Sequence, residues 1–374
     1  MKRVVLVGGG HSHVEVLRRF GRSPAAGVEL VLVSPHRWTP YSGMLPGLVA
    51  GHYAFAETHI DLERVARFAR ARFLPTIATA LDPAGRAMTL GDGARLEFDL
   101  VSLDVGSTPA TAGIPGAAEH ALGVKPVDAF LRAWDVLVAR ARDGAVKRAV
   151  VVGGGAAGIE MVLAMQHRIA TVTGRTDAVE WRLVTDIDDL LPAHGAKVRR
   201  IFRRLLAERE VEVHLSSRVV RVERGTVFAA NGYRVSGDAI LWATGAAASP
   251  RFAASGLATD DRGFIAVDET LRSTSHPNAF ATGDCATLVG HSRPKSGVYA
   301  VRQGPPLARN LRAAAMGLPL ERYVPQTEAL ALISTGDRCA VASRDGWALQ
   351  GRWVWRWKDW IDRRFVARYR VDGS

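Results

Sequence analysis

Cysteine is nearly absent from this chain: 374 residues carry two, Cys285 and Cys339. That is too few for a disulfide framework or a cysteine zinc cluster, so neither is expected to hold the fold. Long apolar runs are missing as well. The first apolar stretch runs straight into glycines after Val7, which leaves no signal peptide, and no segment reaches the ~18 apolar residues of a membrane span. A cytoplasmic protein is the expectation. Acidic residues are also short, 37 against 49 Lys and Arg, for a net charge of +12. Such an excess fits a nucleic-acid partner, an anionic membrane surface or a merely arginine-rich composition. No nucleic-acid motif accompanies it, so nucleic acid is not an expected partner. With 48% hydrophobic and 23% charged residues, the composition is that of an ordinary globular protein with material for two domains.

What is there begins with glycine. Gly8-Gly9-Gly10-His11-Ser12-His13 follows the apolar run 4–7, and Gly153-Gly154-Gly155-Ala156-Ala157-Gly158 follows the run 149–152; helical patterns come after both. Strand, glycine turn and helix form the context in which such a turn counts as a dinucleotide fingerprint. The first glycine makes the bend, the second lets backbone N–H groups approach a pyrophosphate, and the helix start adds partial positive charge. Gly8 and Gly10 fill the first two roles, while His13 stands where a third glycine allows tight helix-to-strand packing. The second turn keeps Gly153, Gly155 and Gly158. An acidic residue about 20 positions on should take the ribose. Neither turn has one in place: the first return strand ends at Ser34, before Pro35, His36 and Arg37, and the second at Thr185, before Asp186. Ser34 and Asp186 are the candidate ribose contacts, and NADH against NADPH stays open. A third string, Ala281-Thr282-Gly283-Asp284, puts a carboxylate after a strand-end glycine, where it can accept from sugar hydroxyls.

The opening unit reads as strand, turn, a helix over 14–20 and the buried strand Val28–Val33. Short alternating segments fill 70–110 and close on 96–104, then Gly106 and Ser107. A helix follows at Val127–Arg142, then the second strand, turn and helix, a return strand over 180–185, a hairpin-like stretch over 211–235 and the strand Ala239–Trp242. From about residue 251 the pattern returns to loop, the strand Ala279–Ala281 and a helix over 297–316. This predicts an α/β fold of two Rossmann-like (three-layer ββα-type) dinucleotide-binding domains, one inserted into the other. The first takes residues 1–112 and 246–325, the second 113–245, and a C-terminal α/β segment 326–374. Residues 351–370 hold four of the nine tryptophans and seven Lys or Arg. As a helix, Trp353, Trp357, Trp360, Ile361 and Phe365 form one apolar stripe, with Arg356, Lys358 and Arg363 largely off it. Such a stripe fits the inner membrane face, or packing on its own protein or a homodimer partner. His11 and His13 point to different helix faces, so no metal is expected.

These strings resemble the two-dinucleotide flavoproteins of the pyridine nucleotide-disulfide oxidoreductase superfamily. Within it, the first turn through Val14 and Glu15, the loop Thr39-Pro40-Tyr41-Ser42-Gly43-Met44-Leu45-Pro46-Gly47 and the tail string Leu332-Ile333-Ser334-Thr335-Gly336-Asp337 resemble one branch. That branch is similar to type II NADH dehydrogenases and is often fused upstream of selenophosphate synthetase. The resemblance implies FAD on the first domain and NADH or NADPH on the inserted one. Electrons would pass to a small-molecule acceptor, quinone-like or tied to selenium metabolism. The alternative is a flavin-bound docking or regulatory partner of selenophosphate synthetase with little turnover.

For FAD, the implied contacts are Gly8, Gly10, His11, Ser12, Ser34, Pro35, Arg37, Met44, Leu45, Ala78, Gly106, Ser107, Gly283, Val298, Tyr299 and Ala300, with Asp284 on the ribitol chain. For the nicotinamide nucleotide they are Gly153, Gly155, Ala156, Gly158, Thr185 and Asp186, with Thr244 and Gly245 at the crossing between domains. Glu160 would lie near the nicotinamide as the catalytic candidate; its other reading is a first-turn carboxylate serving the helix dipole. The redox cysteines of disulfide reductases fall near residues 40–50, where this chain has none, so that chemistry is excluded. Val298 and Arg302 stand where type II NADH dehydrogenases direct glutamines toward quinone and flavin. Lys125 is expected to be solvated, and Cys285 to be a small residue beside a turn.

Overall fold

A run of β-branched residues makes β1 (Lys2–Val7), and a glycine turn leads into α1 (His11–Arg22). There follow β2 (Val28–Val33), β3 (Arg72–Leu74), β4 (Leu100–Leu103), β5 (Leu122–Gly123), α2 (Val127–Arg142), β6 (Arg148–Val152), α3 (Ala156–Thr173) and β7 (Glu180–Val184). Next come α4 (Ala196–Glu208), β8 (Val211–His214), β9 (Ala239–Trp242), β10 (Ala279–Ala281) and α5 (Gly297–Ala315). The chain closes with β11 (Ala331–Thr335), β12 (Asp337–Arg344), β13 (Trp347–Gly351) and α6 (Arg352–Ala367). This computed structural model describes residues 1–291, 293–326, 329–344 and 346–371, with 251 and 253 by backbone only. Positions 327–328, 345 and 372–374 of the expected C-terminal segment lie outside the described residues.

The strands sort into two parallel five-stranded sheets, in the orders β10-β4-β1-β2-β3 and β5-β9-β6-β7-β8. All strands of the second sheet lie in sequence between β4 and β10 of the first. Val4 to Val7 are buried one after another, with Val5 opposite Val31 on β2 and Val101 on β4. An unbroken apolar run is what a parallel strand covered on both faces demands. Helices α1 and α5 join that core through Val14, Leu17, Leu307 and Leu311. An antiparallel meander (Ala78–Asp82, Ala87–Leu90, Arg95–Glu97) joins it through Leu81, Met88 and Leu96. In the second sheet the alternation along β6 separates two cores. Ala149 and Val151 face α2 and α3, and Val150 and Val152 face a second meander (Val219–Glu223, Thr226–Ala229, Arg234–Ser236). The architecture is therefore the three-layer α/β arrangement that the sequence led us to expect.

Two elements differ from the sequence reading. Helix α1 begins at His11, three residues earlier, because Gly10 in an extended conformation serves as its N-cap. The stretch 211–235 is not all hairpin: Val211–His214 joins the parallel sheet beside β7. A parallel neighbour needs a crossover, and α4 supplies it, burying Val198, Phe202 and Leu206.

The tail folds back. Strands β11 to β13 form an antiparallel sheet on which α6 packs through Val354, while Phe365 and Val366 of the same helix join the core of the first sheet. The buried face of α6 is not the expected tryptophan stripe: Val354, Lys358, Asp362, Phe365 and Val366 are inside, and Trp353 and Trp360 are 53% and 57% exposed. Lys358, expected off that face, is buried because its ammonium donates to the Gly43 carbonyl and to Asp362, both at 2.6 Å. Among the described residues no helix is long and apolar enough to cross a membrane.

Candidate functional site

Gly8 has φ +94°, and a Cβ there would run into the backbone of Asp104, so only glycine lets β1 turn into α1 against the end of β4. Asp104 then caps a helix whose own N-cap has no side chain. Its carboxyl accepts from the N–H groups of Ser12 (2.8 Å) and His13 (3.3 Å). Burial pushes that carboxyl up to about 7, against the pull of the two donors. The His13 ring lies 2.7 Å from the Gly8 carbonyl through Nδ1 and 2.8 Å from the Ser102 hydroxyl through Nε2. A carbonyl only accepts, so Nδ1 carries the hydrogen and Nε2 accepts from Ser102. The ring is neutral, in line with burial lowering its pKa to about 4. The side chain in the third glycine's place thus fastens helix to strands. Burial likewise lowers His11 to about 4, and its Nε2 has no hydrogen-bond partner.

Downstream residues close on the same crevice. Lys125 Nζ donates to Asp284 (2.8 Å) and Ser107 (2.9 Å), and the Ser107 hydroxyl reaches Asp284 at 3.3 Å. Lys125 is 42% exposed, solvated as expected, and is also ion-paired in this crevice; its partner 159 positions away was invisible to local pattern. The Gly283 N–H donates to Gln303 Oε1 (2.7 Å), and the Ser12 hydroxyl to the Ala300 carbonyl (2.7 Å), so α5 ties the Asp284 turn to α1. Val298 and Tyr299 lie in the first turn of α5, and Gly106 lies two positions after Asp104. Met44 is buried in the first core, Leu45 in the second, and Ala78 at the start of the first meander. Beyond β2, the Ser34 hydroxyl donates to the His36 carbonyl (3.2 Å), Pro35 is exposed, and Arg37 pairs with Asp61 (2.7 Å). The Gly8–Ser12 turn, Ser34, Asp104 and Asp284 lie at the carboxyl ends of β1, β2, β4 and β10, the edge where open α/β sheets take ligands.

The second turn repeats the plan with fewer attachments. Gly153 has φ +128°, and the Gly154 N–H donates to Thr185 Oγ1 (3.1 Å). Gly155 caps α3, which opens with Ala156 and packs through Gly158; Asp186 is exposed. Thr244 and Gly245 follow β9, and the Thr244 hydroxyl is buried without a partner.

Glu160 is tied to the tail. It accepts from the Ser334 N–H at 2.7 Å, and burial pushes its carboxyl up to about 7 while Lys358 pulls it down. Gly336, at φ +84°, lies against the backbone of Leu163 in α3, which explains the string over 332–337: a tight turn that delivers Ser334 to Glu160. Beside Lys358, Asp362 is hydrogen-bonded to Tyr41, whose ring stacks on Phe365 at 4.3 Å and meets His11 edge-on at 5.5 Å. Loop 39–47, the start of α1, Glu160 and α6 thus meet at one place.

Sequence reasoning missed Asp104, Gln303, Lys358 and Asp362. Asp104 carried a signal, a carboxylate directly after a buried strand and two positions before Gly106. Lys358 carried one in its i,i+4 spacing to Asp362, but its second acceptor, Gly43, is 315 positions away. Cys285 donates to the Thr282 carbonyl (3.1 Å), and burial pushes its thiol up to about 12, so it stays protonated; Cys339 is also unpaired. Among the described residues no three His, Cys, Asp or Glu side chains gather as metal ligands.

Comparison with known proteins follows this geometry. The family model described as pyridine nucleotide-disulphide oxidoreductase matches residues 2–304. An NADH dehydrogenase-like protein of Mycobacterium tuberculosis is 30% identical over 213 residues, covering 56% of this chain and 53% of that protein; the match thus spans about half the length of that relative. A type II NADH:quinone oxidoreductase of Staphylococcus aureus is 21% identical over 368 residues, 92% of this chain and 89% of that protein. In fold the chain is similar to the sulfide:quinone oxidoreductase of Aquifex aeolicus, with a TM-score of 0.82 at 18% identity over 99% of this chain and 92% of that one. It is also similar to NDH2 of Plasmodium falciparum in complex with NADH, with a TM-score of 0.79 at 15% identity over 100% and 99%.

Proposed function

This chain belongs to the pyridine nucleotide-disulphide oxidoreductase family, and on that premise we propose an FAD-dependent NAD(P)H oxidoreductase that passes electrons to a small quinone-like acceptor without a redox disulfide. The observation that carries the reading is the pair of strand, glycine turn and helix units at the carboxyl ends of two parallel sheets. FAD is assigned to residues 1–112 and 246–325, and the nicotinamide nucleotide to 113–245. The first crevice fits FAD: His11 Nε2 and Thr282 Oγ1 are buried without partners, a demand that a ligand rich in hydroxyls and phosphates meets. Gly8, Gly10, His11 and Ser12 would face its pyrophosphate, and Asp284, with Ser107 and Lys125, its sugar chain. Bound there, FAD supplies a ring that accepts hydride and releases electrons.

The chain's own residues hold, orient and exclude water. Asp104, protonated up to about pH 7, stands beside the α1 start without adding a full like charge. The open start of α3 receives the nucleotide, and exposed Asp186 favours a ribose hydroxyl over a phosphate, hence NADH. Glu160, titrating near neutrality, holds and yields a proton at its carboxyl, with Lys358 and Asp362 as its charged neighbours. Helix α6 covers loop 39–47 and keeps this cluster dry.

The relatives named as quinone oxidoreductases support the acceptor class. Exposed Trp353 and Trp360 on an arginine-rich helix support a peripheral place on an anionic membrane. The likeness of three strings to the branch fused to selenophosphate synthetase supports selenium metabolism as the setting and that synthetase as a partner. Anaerobic titration of the purified protein with NADH and NADPH is the test. Bleaching of the oxidised-flavin band is expected, with NADH the better donor; a flavin that neither nucleotide reduces overturns the reading.

A further inference from the structure

Helices α1 and α5 and the chain after α6 border an open cavity of about 450 Å³ whose walls are strongly cationic. Arg18 and Arg19 of α1, Arg302 of α5 and Arg368 beyond α6 line it, against a single carboxylate, Glu15. That carboxylate is fully engaged: it accepts from Arg18 at 2.7 Å, Arg19 at 2.6 Å and the Tyr369 hydroxyl at 3.2 Å. Among the described residues neither Arg302 nor Arg368 has a carboxylate partner, so the walls keep a surplus of positive charge. Two neutral donors point the same way. The Tyr323 hydroxyl, on a side chain 8% exposed, and the Gln326 amide nitrogen both line the cavity and are buried without hydrogen-bond partners.

Guanidinium groups brought together without a counter-ion repel, and buried donors left unmet destabilise the fold that holds them. One occupant resolves both. We propose that this cavity binds a phosphate group, as a pyrophosphate or a phosphomonoester, at a site separate from the two glycine turns. A carboxylate would bring one charge and two acceptor oxygens. A phosphate monoester brings about −1.5 to −2 charge and three strong acceptors, which suits planar guanidinium forks and two further donors. The occupant joins three elements. It holds the end of α6 against α1 and touches Arg302, the neighbour of the Gln303 that fixes the Asp284 turn. Phosphate occupancy therefore stiffens the tail over the crevice.

The test uses the flavin-loaded protein and inorganic pyrophosphate, followed by titration calorimetry at low salt with flavin absorbance monitored throughout. Saturable binding at one site is expected, without loss of flavin. Arg302→Ala and Arg368→Ala should each weaken it about tenfold, and Tyr323→Phe about threefold. Arg175→Ala, at an exposed pair with Asp177, should leave it unchanged, and circular dichroism checks that each variant is folded. A lipid source of the phosphate is read separately by flotation with phosphatidylcholine vesicles, with and without phosphatidic acid. Flotation that needs phosphatidic acid, fails in the Arg302→Ala/Arg368→Ala double variant and is competed by pyrophosphate assigns the site to a headgroup. The proposal is overturned if neither probe binds, if binding displaces flavin, if the cavity variants bind like the parent, or if Arg175→Ala loses as much as they do.

Discussion

The two glycine turns share a local sequence and differ in what fills them. At Gly10 a Cβ would collide with the Asp104 carboxyl; at Gly155 nothing lies within 4 Å of one. At the start of α1 two N–H groups, those of Ser12 and His13, are taken by Asp104, and the His13 ring fastens the first turn. At the second turn the Gly154 N–H donates to Thr185 and its carbonyl accepts from the Leu191 N–H, and no side chain caps α3. A fingerprint thus specifies a backbone path, while the residues arriving from distant strands decide whether the path is a furnished seat or an open one. A furnished, rigid seat suits a resident dinucleotide, and an open one suits a dinucleotide that arrives and leaves at each turnover.

Closing the open seat should have the largest effect. Gly155 has φ −77° and ψ 179°, a conformation any residue adopts, so Gly155→Asp places a carboxylate at the start of α3 without backbone strain. Stopped-flow reduction by NADH should then need about a hundredfold more nucleotide, with flavin content unchanged; an unaltered dependence would break the comparison. Next, Asp104→Asn tests the furnished seat through pH. The unfolded side chain ionises near 3.8 and the folded one near 7. Asp104 therefore contributes stability that is full below about pH 4 and is lost as pH rises to about 7. Asparagine does not titrate, so the stability difference between variant and parent should shift by up to about 4 kcal/mol in the variant's favour across that window. Urea unfolding of the apoprotein measures it, and the histidine titrations common to both cancel. Third, Gly10→Ala should destabilise by roughly 1–3 kcal/mol through overpacking against Asp104, whereas Gly155→Ala should change the melting temperature hardly at all. Last, Thr185→Val removes the acceptor for the Gly154 N–H and should cost about 1 kcal/mol, seen in the same unfolding curves.

Both turns, both parallel sheets and the return to the first sheet through Ala279–Ala281 were legible because each rests on a short-range pattern, an apolar run meeting a glycine. The hidden parts rest on meetings across the chain. Asp104 reaches Ser12 across 92 positions, and Glu160 reaches Ser334 across 174, distances at which periodicity says nothing. Lys358 was misread for a physical reason: amphipathic reasoning sorts side chains by polarity, and a buried ammonium with two good acceptors violates the sorting while obeying the energetics. Helix α4 went unassigned although Val198, Phe202, Leu205 and Leu206 fall at i, i+4, i+7 and i+8, a stripe the sequence carried.

The order of strands in the first sheet has a bearing on how the molecule is made. β10 pairs with β4, yet it leaves the ribosome about 175 residues after it. At about 5–20 residues per second, that is a wait of roughly 9 to 35 seconds. During it the whole second sheet can be synthesised and can close, while β4, every residue of which ends up buried, waits with one edge unpaired. An apolar strand edge is a template for pairing with other chains. The nascent protein is therefore exposed to misassembly while residues 104–278 are being made, and a chaperone that shields β4 over that interval should raise the yield of folded chains more than one acting before it.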